Sequence, residues 1–69
     1  MNTEKIHFLV ADDHTVVRQG LALMIKELYA NAVVYQVENF ANIMAVLQQQ
    51  PIEVLILDIN FPDGNSITI

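Results

Sequence analysis

Three aspartates stand where apolar runs end. Asp12 and Asp13 follow "IHFLVA", and Asp58 follows "VLIL". A single carboxylate in such a place is most simply a turn or helix cap. Three brought together repel one another unless a cation stands between them. Carboxylate and carbonyl oxygens suit Mg2+, which favours octahedral geometry and keeps several waters. An aspartate beside that ion is also a competent nucleophile toward phosphorus, because the metal offsets repulsion between carboxylate and phosphoryl oxygens. The product would be an aspartyl phosphate. This chemistry requires the acids to meet, and the elements between them decide whether they do.

Ile6 to Ala11 is β-prone and ends at the acidic pair. Val17, Leu21, Met24 and Leu28 recur at i, i+4, i+7 and i+11, one face of a helix from about Thr15 to Tyr29. Gly20 inside that helix costs roughly 1 kcal/mol relative to alanine, so close packing is its expected justification. Ala32 to Val37 is strand-like, dominated by β-branched and aromatic residues. Asn39 is placed to cap a second helix carrying the stripe Phe40, Ile43, Met44 and Leu47. Pro51, without an N–H, stops it. Val54 to Leu57 is an aliphatic strand with no alternation, the pattern of a parallel sheet covered by helices on both faces.

The order β-α-β-α-β predicts an α/β fold whose parallel sheet runs 2-1-3. Ligands of open parallel sheets gather outside the carboxyl ends of the strands, where the strand order reverses. The first and third strands flank that point, so Asp12, Asp13 and Asp58 are predicted to share one cleft. Asp13, just ahead of the first helix, also has N-cap character. Of the other polar residues, His14 reads as a solvated helix start and Arg18 as locally paired or solvent-facing. Asp63-Gly64 reads as a turn.

"VADDHTVVRQGL" followed by "VLILDINFPDG" resembles the first half of a bacterial response-regulator receiver domain. More narrowly, it looks like receivers that precede a helix-turn-helix DNA-binding output domain. There the acidic pair, Arg18 and Gly20-Leu21 recur in this arrangement, and the resemblance covers nearly the whole chain. It implies a partial flavodoxin-like fold over residues 1–69, lacking the later strands and helices and the output domain. It also implies that Asp58 is the phosphoacceptor for a sensor histidine kinase. Asp12, Asp13 and Asp58 would hold Mg2+ with the backbone carbonyl of Asn60, while Pro62 and Gly64 shape the adjoining loop. Phe61 stands where the family commonly has Met or Leu, and Ser66 where it usually has Gly. The family's Ser or Thr after the fourth strand, its Lys after the fifth and its late switching aromatic have no counterpart before Ile69. Phosphorylation of these residues alone is therefore expected to be impaired.

Composition narrows the alternatives. The 69 residues are 54% hydrophobic and 16% charged, more apolar than so short a surface can cover, so the chain reads as unfinished. A three-stranded sheet would expose a hydrophobic edge, which makes a homodimer or strand-exchanged oligomer with a vestigial site one competing expectation. Another is a Mg2+-dependent phosphohydrolase working through an aspartyl phosphate. Such enzymes need an acid two positions after the nucleophile, and Asn60 is an amide, so the chain is read as a phosphoacceptor rather than an enzyme. With 8 acids against 3 bases and a charge of −5, direct binding to nucleic acid is not expected. The absence of cysteine excludes disulfides, the polar start is unlike a secretory signal, and no apolar run approaches a membrane span. A cytoplasmic location is the expectation.

Overall fold

A computed structural model describes residues 4–60 and 66–68. Strand β1 (Ile6–Asp12) is followed by helix α1 (Thr15–Leu28), strand β2 (Ala32–Val37), helix α2 (Phe40–Gln49), strand β3 (Val54–Asn60) and a short strand β4 (Ser66–Thr68). The sheet order is β2-β1-β3-β4. β1 pairs in parallel with both neighbours, so the predicted 2-1-3 arrangement holds.

Alternation along each strand distributes the core onto two faces. Phe8 and Val10 of β1 pack with Ile25 of α1, supported by Ala32, Val34 and Ile56. Leu9 and Ala11 point the other way and meet Ile43 of α2, with Val37, Ile59, Tyr35, Leu55 and Leu57. Both faces of β1 are covered, which is why its sequence is apolar without alternation. Leu9 and Val10 are fully buried, each contributing about 1.5–3 kcal/mol relative to exposure.

Local chemistry sets the helix ends. The Asn39 side chain accepts the N–H of Asn42 at 2.9 Å and caps α2, as expected from the sequence. At the other end the Gln50 N–H still reaches the Val46 carbonyl, and Pro51 follows. Just ahead of β3, Glu53 ties the α2–β3 connection to β1. Its N–H donates to the His7 carbonyl at 2.9 Å, and its Oε1 accepts the His7 N–H at 3.1 Å.

The helices are rotated from the faces that the spacing predicted. In α1 the buried positions are Ala22 and Ile25, with Leu21 half-buried; Val17, Met24 and Leu28 of the predicted stripe are exposed. In α2 only Ile43 of the predicted four is buried, Val46 packs beside it, and Phe40, Met44 and Leu47 are exposed. Both helices have apolar residues on more than one face, and the sheet selects which of them is covered. Gly20 is exposed, and among the described residues a methyl group there would meet no atom within 4 Å. Close packing does not account for this glycine.

Strand β4 was not anticipated. It runs antiparallel to the end of β3, setting Thr68 opposite Asp58, Ile67 opposite Ile59 and Ser66 opposite Asn60. β3 therefore continues past Asp58, and that part of the expected open edge is paired. Phe61, Pro62 and the predicted Asp63-Gly64 turn lie outside the described residues.

Candidate functional site

The parallel register of β1 and β3 sets Asp12 directly beside Asp58. By strand alternation both continue the face of Phe8, Val10 and Ile56, which α1 covers. Asp13 follows Asp12 on the connection into α1. The three acids that the sequence singled out thus converge where the strand order reverses, between β1 and β3. Asn60 ends β3, two residues beyond Asp58, opposite Ser66.

Burial separates the members. Asp12 is 1% exposed, whereas the Asp13 side chain retains 32% of its accessibility and that of His14 60%. Asp12 Oδ1 accepts the His14 N–H at 2.7 Å, an Asx-type turn that leads the chain out of β1 and into the helix. Asp12 Oδ2 is buried with no hydrogen-bond partner among the described residues. A buried carboxylate oxygen without a donor is costly, by about 1–3 kcal/mol or more for a charged group, and a cation relieves that cost. The donor set fits a hard divalent cation on this ground: clustered carboxylates, one of them with an unsatisfied buried oxygen.

Two further residues belong to the cluster. His14 Nδ1 lies 3.1 Å from Asp12 Oδ1 and 3.0 Å from Asp13 Oδ1. Its hydrogen bond with Asp12, then the charge of Asp13, hold the imidazole above its ordinary pKa; desolvation opposes them, and the charges of Asp12 and Asp58 add smaller effects in the raising direction. Arg18 Nη1 donates to the Asp12 carbonyl at 2.9 Å and braces the end of β1 from one turn into α1. Arg18 is locally paired, as read from the sequence. His14 is exposed as predicted, yet it faces the acids instead of standing apart from them.

The helix start corrects one expectation. His14, not Asp13, occupies the N-cap position, and among the described residues it makes no side-chain cap hydrogen bond. The first free amide is taken instead by Asp12, which reaches forward two residues. The adjacent acids in the sequence signalled this turn, but not which of them would form it.

The response regulator receiver domain family matches residues 8–69. This chain belongs to that family. It is also 33% identical over 68 residues to Stress response regulator protein 1 of Debaryomyces hansenii, an alignment covering 99% of the chain and 28% of that relative. The chain thus spans little more than a quarter of the length of the curated relative it matches. No solved structure matches it significantly. As a receiver, the chain is the type of domain that accepts a phosphoryl group in signalling, and its partial flavodoxin-like topology accords with the family. No helix among the described residues is long and apolar enough to cross a membrane.

Proposed function

We propose that Asp58 is the phosphoacceptor of a two-component signalling protein, and that Asp12, Asp13, Asp58 and the Asn60 carbonyl hold Mg2+ beside it. The observation that carries this reading is the pairing of Asp12 with Asp58 at the switch point, with Asp12 Oδ2 buried and lacking a partner among the described residues. A carboxylate oxygen of Asp58 attacks phosphorus on the phosphohistidine of a sensor kinase. The new O–P bond forms as the N–P bond breaks, and the departing imidazole nitrogen keeps the electron pair and takes up a proton. When bound, a divalent ion held by these residues would supply charge neutralisation between the carboxylates and the incoming phosphoryl oxygens. Asp12 supplies a fixed oxygen because its other one is tied to the His14 amide. Asp13, more exposed, adds charge at the mouth of the site.

Phosphorylation then adds negative charge at the sheet end and biases the association of the longer protein. In this reading that protein is cytoplasmic and carries a helix-turn-helix output domain through which it regulates transcription. The amide at Asn60 disfavours phosphohydrolase turnover, because it cannot protonate a leaving group.

The test is intact-mass analysis after incubation with Mg2+ and a small-molecule phosphodonor. A mass gain of one phosphoryl group in a fraction of the parent chain, in keeping with impaired transfer by these residues alone, and none in Asp58→Asn is expected. Addition that persists in Asp58→Asn, or none in either chain, would overturn the assignment of Asp58 for these residues.

A further inference from the structure

The face of α1 that covers the sheet carries Leu21, Ala22 and Ile25, and Arg18 stands three, four and seven residues before them on that same face. It is half-buried and reaches the end of β1, where Nη1 donates to the Asp12 carbonyl at 2.9 Å. Of the three Lys and Arg residues, Lys5 precedes β1 and Lys26 lies in the last turn of α1. Arg18 is therefore the base at the acidic end of the sheet. Its bond holds a particular part of the site. The Asp12 carbonyl shares a planar peptide with the Asp13 N–H, so fixing it sets where the second acid begins. The Arg18 N–H donates to the His14 carbonyl at 2.9 Å, and between these two anchors Asp12 Oδ1 accepts the His14 N–H at 2.7 Å. Arg18 thus grips both ends of the turn from Asp12 to His14.

We propose that Arg18 is a positioning residue for the acidic site: by holding the Asp12–Asp13 peptide it pre-sets the two acids, so that they meet Mg2+ without rearranging the turn. The proposal rests on the reading of Asp12 and Asp13 as Mg2+ ligands and adds the residue that orients them. Asp13, the more exposed acid, depends on it most, because packing constrains its side chain less. The guanidinium acts through the carbonyl and does not touch the ion. Mg2+ demands near-ideal octahedral geometry, so a displaced carboxylate loses affinity. The sign of the effect separates this role from simple electrostatics. A positive charge beside the site repels an arriving cation, so removing the charge alone would tighten Mg2+ binding. Removing the brace weakens it.

The experiment titrates the parent chain, Arg18→Met, Arg18→Lys and Asp12→Asn with Mg2+ by calorimetry. NMR of the metal-free chains follows the Asp12 carbonyl carbon and the Asp13 and His14 amides. Methionine keeps an unbranched apolar stem but no donor, and lysine restores a charged donor. Arg18→Gln, uncharged and shorter than arginine, repeats the measurement should methionine unfold the chain. The uncharged variant is expected to bind Mg2+ about tenfold more weakly than the parent. Its Asp12 and Asp13 signals should be displaced before any metal is added, and Arg18→Lys should recover part of the affinity. Mg2+ affinity that is unchanged or higher without the guanidinium would overturn the proposal. So would weaker binding with the Asp12 and Asp13 signals unmoved, or a lysine variant no better than the uncharged one. Failure of Mg2+ to bind the parent, or binding unaffected by Asp12→Asn, would instead overturn the cation reading beneath it.

Discussion

Asp12 and Asp58 are direct neighbours across the parallel β1–β3 pair, on the face that α1 covers. One is buried, with a single oxygen satisfied, and the other sits a strand away at the same height. The charge of a group placed between them acts on both at once. The consequences divide into those of the buried acid, those of its histidine neighbour and those of the helix that carries the loop.

Asp12→Asn removes a buried charge whose Oδ2 has no partner among the described residues, and keeps an oxygen able to accept the His14 amide. Without metal, the variant is expected to be more stable by about 1–2 kcal/mol. The thermal stabilisation that Mg2+ gives by binding the folded state should largely vanish. Melting curves of both chains with and without Mg2+ check the two effects together. A variant less stable than its parent in the absence of metal would show that Oδ2 is satisfied in solution.

In the metal-free chain, His14 should titrate above the usual histidine value, because Asp12 hydrogen-bonds its ring and Asp13 lies alongside. The folded state thus favours the protonated imidazole. Its contribution to stability is full below about pH 6.5, the unfolded value, and is lost as pH rises through the higher folded-state value. Imidazole C–H shifts followed by NMR give the midpoint. Asp12→Asn should move that midpoint down toward the ordinary value, and no movement would exclude Asp12 as the main cause.

Ile25 and Met24 are adjacent in α1 but face opposite environments, at 7% and 55% exposure. Ile25→Ala should therefore cost about 2–4 kcal/mol, enough to unfold much of so small a sheet. Met24→Ala should change stability by no more than about 0.5 kcal/mol. Urea denaturation of the pair reports the rotation of α1 on the sheet. Equal losses would place the covered face nearer the stripe that the spacing suggested.

Gly20→Ala fills open space on an exposed helical turn. The gain in helix propensity should stabilise the chain by about 0.5–1 kcal/mol. A denaturant midpoint that falls instead would reveal a neighbour at this position in solution.

Element types and their order followed from local chemistry. The cap at Asn39, the stop at Pro51 and the β-branched run Ala32 to Val37 each act within a few residues of themselves. The convergence of Asp12 and Asp58 was legible as well, because a β-α-β-α-β order with short connections restricts the strand arrangement. Helix rotation was not. Val17, Met24 and Leu28 are as apolar as Leu21 and Ile25, so periodicity offers more than one face, and only contact with Phe8, Val10 and Val34 chooses among them.

The acidic cluster divides along the same line. The sequence by itself determined which residues bear carboxylates and that they stand at strand ends. Tertiary structure decided that Asp12 is buried while Asp13 is not, that Asp12 forms the turn into α1, and that His14 closes on both. Burial depends on where α1 lies across the sheet, and the direction of an imidazole depends on the turn beneath it. Neither is encoded in the spacing of the residues concerned, because both arise from contacts between elements distant along the chain.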